Sequence, residues 1–291
     1  MSERETRVEE LIEEFDWDDD VYKRQEVEEA LTLREEITPH LIRILEEIAT
    51  DPLRYAQEEH NAHIYAVALL AHFQEPAALL PIIRAFSIPD EFMEFLWGDM
   101  VTETLPALLV QTGHGQLDTI KGLILDRETP EYVRGGAVEA LAYAVVQELA
   151  VRDEVIAFLA SLFTGTEAEE NSDFWNTVAC AITDLHPEEA MPVLRQAVAD
   201  GLVTPDYVGL DEIERNLARD REEVLAELRQ MMERRVPRNV HDYLSWFAGF
   251  QDEPPLPPPP VNFADQALQK KKKSSRARAK LAKKARKKNR H

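Results

Sequence analysis

The stretch PEYVRGGAVEALAYAV (residues 130–145) decides the fold. After Pro130, apolar residues recur at spacings of three and four, which is the pattern of an α-helix. Gly135 and Gly136 follow no strand, so we interpret them as points of close helix packing rather than as a phosphate-binding loop. The same helical spacing continues through the rest of the chain, and no segment alternates convincingly as a strand does. The sequence therefore predicts an all-α protein.

The predicted helices repeat in pairs. Ala140-Leu141 aligns with Ala68-Leu69, Thr104-Leu105 and Ala181-Ile182 in the first helix of each pair, at spacings of about 36–41 residues. The second helices align as four apolar stripes: Leu79/Ile82/Phe86, Leu117/Ile120/Ile124, Val155/Phe158/Leu162 and Ala190/Val193/Ala197. A single pair cannot bury its stripe alone, so neighbouring pairs must stack. We therefore predict a HEAT-like α-solenoid in which the aligned Leu69, Leu105, Leu141 and Ile182 are buried.

Outside these repeats, the sequence divides into end segments, a linker and a tail. Residues 3–50 and 204–250 are interpreted as end caps, and Thr38-Pro39 predicts the start of a helix. At residue 252 the composition changes to DEPPLPPPPVNF, which is typical of a stiff polyproline II spacer. The predicted divisions are an α-helical repeat domain (1–250), a Pro-rich linker (251–263) and a disordered Lys/Arg-rich tail (264–291).

Charge is distributed unequally between the tail and the body. The chain has 33 basic and 55 acidic residues and a net charge of −22. Thirteen of the basic residues and no acidic residue lie in residues 270–291, which leaves a charge of −35 on residues 1–269. A tail this basic favours binding to phosphate backbones. Because it has no aromatic side chain, it offers no surface on which nucleic-acid bases could stack. We predict binding to RNA or DNA without sequence specificity.

All thirteen basic residues of the tail are candidate nucleic-acid contacts: Lys270, Lys271, Lys272, Lys273, Arg276, Arg278, Lys280, Lys283, Lys284, Arg286, Lys287, Lys288 and Arg290. Three other interpretations stay open. The tail could bind an acidic protein, including its own body; it could bind an anionic membrane, although Leu281 gives it little apolar surface; or it could serve solubility alone.

Composition and motifs argue against several other classes of protein. Cys180 is the single cysteine, which excludes an internal disulfide and a cysteine-rich zinc site, and we interpret it as buried and inert. The longest uncharged apolar run, residues 64–71, is too short to span a membrane, and the acidic start is unlike a signal peptide. We expect a soluble cytoplasmic protein without a cofactor.

Two motifs resemble metal sites, but each has a simpler interpretation. Asp16, Asp18 and Asp20 alternate as in a calcium loop, but Val21 and Val27 occupy the positions where an EF-hand needs Gly and Glu, so an acidic loop is the better interpretation. Glu59, His60 and His63 have metal-ligand spacing without a third strong ligand nearby, which favours the start of a surface helix. We expect no metal site and, because no catalytic constellation stands out, no enzyme activity.

Several segments together resemble a bacterial family with HEAT-like helices that is known only as a domain of unknown function. They are REEITPHLIRILEEI, HIYAVALLAHF, LWGDMVTETLPALL, PEYVRGGAVEALAYAV and FWNTVACAITDLHPEEA followed by DGLVTPDYV, and they cover roughly residues 30–220. The resemblance implies an all-α repeat fold and no assigned activity. Many members of that family carry a C-terminal cysteine-rich zinc motif, which this sequence lacks.

The expected function is that of a non-enzymatic binding or scaffold module. The solenoid would bind an unknown protein partner on a groove made by the stacked second helices, and the tail would bind RNA or DNA. The alternative is a protein–protein adaptor whose tail shields or regulates its own acidic surface. A minor alternative is an enzyme with an unrecognised site.

Overall fold

A computed structural model of the chain describes residues 3–16, 21–57, 60–204, 207–235 and 239–246. These residues form helices and connecting turns and contain no β-strand, so the all-α prediction is confirmed. The α-helices are α1 (Glu3–Asp16), α2 (Arg24–Thr32), α3 (Arg34–Thr50), α4 (Pro52–Gln57), α5 (Ala62–His72), α6 (Leu79–Phe86), α7 (Asp90–Leu96), α8 (Met100–Glu103), α9 (Leu105–Gly113), α10 (Leu117–Leu125), α11 (Glu131–Val146), α12 (Arg152–Ala160), α13 (Asp173–Asp184), α14 (Met191–Ala199), α15 (Leu210–Leu217), α16 (Arg221–Arg235) and α17 (Val240–Trp246). Two short 3₁₀-helices, Pro76–Ala78 and Glu188–Ala190, precede α6 and α14.

The first helices of the pairs form a row in which each contacts the next. Helix α5 contacts α9, α9 contacts α11, and α11 contacts α13, while α6, α10 and α12 pack against members of this row. The aligned residues Leu69, Leu105, Leu141 and Ile182 are all fully buried, as the repeat alignment predicts. Burial of these side chains between neighbouring helices is the main source of stability for such a row. The superhelical solenoid arrangement itself stays a prediction.

The apolar stripe predicted for the second helix of a pair is buried in α6 and differs at one residue in the last pair, which ends in α14. Leu79, Ile82 and Phe86 are buried as predicted. In the last pair, Leu194 is buried in place of Val193, which is half-buried. Ala190 and Ala197 of the same stripe are buried as predicted.

Close packing at the glycines of α11 is confirmed. A Cβ atom added to Gly136 would lie 3.1 Å from Leu105 Cδ2 and 3.3 Å from the Val101 carbonyl oxygen. A Cβ atom added to Gly135 would lie 3.4 Å from Thr177 Cγ2. The glycines therefore let α11 approach α8 and α9 on one side and α13 on the other.

The predicted helix start at Pro39 is wrong, because α3 begins at Arg34 and contains the proline. The hydroxyl of Thr38 does not cap the helix but donates to the Arg34 carbonyl, at 2.7 Å. Ile37 and Leu41 lie on the same buried face of α3. Continuous packing across the proline outweighs the lost backbone hydrogen bond.

The interpretation of residues 204–250 as an end cap is also wrong for its last two helices. Helix α16 turns back against α11, and α17 contacts α5. Leu228 and Met232 of α16 and Val240 and Leu244 of α17 are buried. These apolar faces need a partner surface, and the row of first helices supplies one. Residues 3–50 do pack at the other end of the row, where α1 and α3 contact α5.

No helix in the described part of the chain has both the length and the apolar content that crossing a membrane requires.

Candidate peptide-binding groove

The structure does not test the predicted nucleic-acid contacts. Residues 270–291 lie outside the described residues, as do the predicted linker, Asp18, Asp20 and Glu59.

An acidic groove crosses the N-terminal ends of several helices of the body. Its main cavity, of about 370 Å³, lies between α7, α8 and the start of α11. A smaller adjoining cavity of about 40 Å³ extends between α11 and α13 and shares Thr102 and Tyr132 with the first. We call the two cavities together the Tyr132 groove. Its lining residues are Asp90, Met93, Glu94, Gly98, Asp99, Val101, Thr102, Glu131, Tyr132, Gly135, Gly136, Glu139, Asp173, Phe174 and Thr177.

The groove combines negative charge with apolar surface. Its lining contains six carboxylates and no Lys, Arg or His. Met93 and Val101 are buried and form an apolar floor, whereas the Tyr132 side chain is 54% exposed. An exposed aromatic ring with exposed carboxylates around it is suited to a guanidinium or ammonium group, which gains Coulombic and cation–π attraction there. A ligand with basic and aliphatic portions would use both parts of this surface.

Three of the six carboxylates are already held by the fold, and one of them is Asp173, whose Oδ1 accepts a hydrogen bond from Asn176 Nδ2 at 3.3 Å. Glu131 Oε1 accepts a hydrogen bond from the Phe174 backbone N–H at 3.0 Å, which caps the start of α13. Glu139 Oε2 accepts one from Arg235 Nη1 at 2.8 Å. Burial raises the pKa of Glu139, and the Arg235 guanidinium opposes that shift. Asp90, Glu94 and Asp99 are exposed and supply the remaining negative charge of the main cavity.

The C-terminal helices run along one edge of the groove. Arg235, the last residue of α16, contacts Glu139 and also donates to the Tyr143 hydroxyl at 3.0 Å. On α17, the Tyr243 hydroxyl donates to Thr104 Oγ1 at 3.2 Å, two residues along the chain from the lining residue Thr102. The described chain thus ends beside the groove.

A second cleft of about 370 Å³ lies between α13, α15 and α16. Its lining mixes acidic side chains with Arg215 and Arg219, and Arg219 is already paired with Glu227. Burial, with Glu139 and Glu212 nearby, raises the pKa of Asp184 to about 7. Because cations already line this cleft, it is less suited than the Tyr132 groove to a basic ligand.

The structure shows the surroundings of the cysteine and histidines that the sequence analysis considered as reactive or metal-binding residues. Cys180 is half-buried rather than fully buried, and desolvation of its thiol raises the pKa to about 12, which supports the interpretation that it is inert. The surface interpretation of His63 is wrong: its ring is buried against Trp97, Nε2 lies 2.9 Å from the Leu96 carbonyl oxygen, and burial lowers its pKa to about 4. His60 Nδ1 lies 2.6 Å from Asp16 Oδ2. Within the described ranges, no group of three or more His, Cys, Asp or Glu residues could hold a metal ion.

Comparison with known proteins gives a family and two relatives. The family model described as "Protein of unknown function (DUF1186)" matches residues 6–251. An uncharacterized protein of Chlamydia trachomatis serovar D is 27% identical over 205 residues, which cover 70% of this chain and 81% of the relative. An uncharacterized protein of Chlamydia muridarum is also 27% identical over 205 residues, covering 70% of this chain and 82% of the relative. No solved structure matches the chain.

Proposed function

We propose a function for this chain, which belongs to the DUF1186 family of proteins of unknown function, from the properties of its own residues. It is a cytoplasmic, non-enzymatic binding module. The helical body binds a basic segment of a partner protein in the Tyr132 groove, and the tail binds RNA or DNA without sequence specificity.

One observation supports the peptide-binding role above all others. The Tyr132 groove has six carboxylates, no basic side chain in its lining, and a central exposed aromatic ring. Interfaces of this kind derive specificity from charge complementarity and affinity from a few aromatic contacts. A Lys/Arg-rich segment matches both features.

The nucleic-acid role is supported by the charge of the tail. The thirteen basic residues of 270–291 would release condensed counterions on binding a phosphate backbone. The charge of −35 on residues 1–269 repels the same polymer, so the tail supplies the attraction. Binding should therefore be weak at physiological salt and strongly dependent on ionic strength.

The peptide-binding role is tested with a full-length variant in which the thirteen basic tail residues are Gln, called the neutral-tail chain. A fluorescent peptide with the sequence of residues 270–291 is titrated into it at 50 mM salt. Adding Tyr132→Ala, Glu94→Gln and Asp99→Asn should weaken binding by about 10-fold or more. The matched control is Tyr207→Ala, Glu128→Gln and Asp118→Asn, which removes one exposed aromatic ring and two exposed charges elsewhere. Equal weakening by both sets, or no binding to the neutral-tail chain, would refute the role of the groove.

The nucleic-acid role is tested by titrating generic RNA and duplex DNA with the full chain and the neutral-tail chain. If about 6–10 tail residues reach phosphates, the affinity of the full chain should fall by about 10³–10⁵ between 50 and 200 mM salt. The neutral-tail chain should not bind. Full-length binding that is insensitive to salt, or retained without the basic residues, would contradict this role.

A further inference from the structure

We infer that the Tyr132 groove is the docking site of the chain's own tail, residues 270–291. This inference rests on the proposed role of the groove in binding basic segments, and it adds the tail as an intramolecular occupant that competes with the partner protein. A free tail and a docked tail would then exchange, and the docked form would withhold the basic residues from nucleic acid.

Charge complementarity favours the tail as the occupant. The tail presents thirteen basic residues and no acidic one, while the groove presents six carboxylates and no basic lining residue. The tail also alternates its charges with small and aliphatic residues such as Ala277, Ala279 and Leu281. Such a segment can place methyl groups and aliphatic stems on Met93 and Val101 while its charges meet the acidic rim.

The last described helix lies beside the groove, at a point from which the tail could reach it. Arg235 Nη1 donates to Oε2 of the groove residue Glu139 at 2.8 Å, and the Tyr243 hydroxyl donates to Thr104 Oγ1 at 3.2 Å. Thr104 is close in the chain to the lining residue Thr102, so the last described helix lies at the edge of the groove. Residues 247–269 connect this point to the tail and could extend about 80 Å at most. That reach covers the groove, and a tether of this length gives an effective concentration of about 1 mM.

Docking and nucleic-acid binding must compete, because both use the same lysines and arginines. A free peptide of residues 270–291 should therefore bind RNA more tightly than the full chain does. Repulsion from the acidic body would have the same effect on RNA binding, so that comparison cannot identify the docked state. The position of the tail has to be measured directly.

The distribution of lysine makes a direct measurement feasible. Nine of the eleven lysines lie in the tail, and Lys23 and Lys121 are the two outside it. A carbodiimide activates a carboxylate, the lysine amine attacks it, an amide bond forms, and the urea by-product leaves. Cross-linking the full chain at 50 mM salt should join tail lysines mainly to Asp90, Glu94 and Asp99. Mixing ¹⁵N-labelled and unlabelled chains should show these links to be intramolecular. Links spread evenly over exposed carboxylates of the body, or found mainly between chains, would overturn the inference.

A competition experiment separates failure of this inference from failure of the proposed function. The fluorescent 270–291 peptide is titrated into the wild-type chain and into the neutral-tail chain. If its dissociation constant for the free groove is about 10–100 µM, a tethered competitor at about 1 mM should weaken its binding to the wild-type chain by about 10–100-fold. Equal affinities for the two chains would overturn tail docking and leave the groove as a site for other basic segments. Failure of the peptide to bind even the neutral-tail chain would refute the groove itself.

Discussion

Leu141 tests the packing of the central helix. It is fully buried in α11, which lies between α9 and α13. Leu141→Ala should lower the free energy of unfolding by about 2–5 kcal/mol, because it removes buried methyl groups and leaves a cavity. Denaturant unfolding measures this change. Leu149→Ala is the control, because Leu149 is 42% exposed and its loss should cost less than about 0.5 kcal/mol. Equal stabilities for the two variants would contradict the buried row.

Gly135 and Gly136 form a matched pair for testing close approach. Gly136→Ala should destabilise the protein by about 1–3 kcal/mol, because its new methyl group would press on Leu105 and on the Val101 carbonyl at 3.1 and 3.3 Å. Gly135→Ala meets only the Thr177 side chain, at 3.4 Å, and gains helix propensity of about 1 kcal/mol. Thermal unfolding should therefore give a higher melting temperature for Gly135→Ala than for Gly136→Ala. The reverse order would show that the packing of α11 is described wrongly.

Asp184 gives a stability change that depends on pH. Its pKa is about 7 in the folded protein against a usual value of 3.8, so the folded state holds the proton more tightly. The carboxylate therefore costs stability as the pH rises from about 4 to about 7, and the whole cost is present above that range. Asp184→Asn should raise the free energy of unfolding by about 1–3 kcal/mol at pH 8 and change it little at pH 4. Glu128→Gln, at an exposed loop position, is the control and should change the free energy of unfolding equally little at both pH values. An effect of Asp184→Asn that is the same at pH 4 and pH 8 would contradict the raised pKa of Asp184.

His241 holds helix α17 to the N-terminal part of the body, at α2 and the turn before it. Its Nδ1 is hydrogen-bonded with the Tyr22 hydroxyl, and its Nε2 lies 2.8 Å from Glu28 Oε1. His241→Ala should increase amide hydrogen exchange in α17 by about 10–100-fold, because losing the buried bond to Tyr22 and the partly buried bond to Glu28 costs about 1–3 kcal/mol locally. Exchange in α10 should stay unchanged. His40→Ala, which removes a histidine from α3, is the control. Equal acceleration in both helices would mean that α17 unfolds only with the whole body.

At the level of elements, the repeat pattern predicted the helices better than it predicted their neighbours. Leu69, Leu105, Leu141 and Ile182 were identifiable because a buried repeat position recurs at a fixed spacing. The packing of α16 and α17 back against the row could not be predicted in the same way. An amphipathic helix such as α16, which buries Leu228 and Met232, packs equally well at the end of a row or along its face. The groove was missed because its carboxylates do not stand out in an acid-rich chain. Tyr132, which follows Pro130 and Glu131 at the start of a helix, was the one local feature of the sequence that indicated an exposed aromatic ring.

For the whole molecule, the balance of charge should make stability depend on the tail at low salt. Residues 1–269 carry a charge of −35, and the tail offsets part of their mutual repulsion. The neutral-tail chain should be about 1 kcal/mol less stable than the wild-type chain at 20 mM salt and equally stable at 500 mM, where the Debye length is only about 4 Å. Thermal unfolding at the two salt concentrations checks this. A difference that persists at 500 mM would require a contact that is not electrostatic.

The contact between Tyr22 and His241 also sets the order in which the molecule can be completed during synthesis. The two residues are separated by 219 positions. At about 5–20 residues per second, a ribosome needs about 10–45 s to add the partner of Tyr22 after Tyr22 itself has been made. During that interval α17 has not been made, so the α5 surface against which it packs is not covered by it. Closure of the body therefore has to wait for the synthesis of α17, and a ribosome stalled before residue 240 would display a surface of α5 that α17 covers in the finished protein.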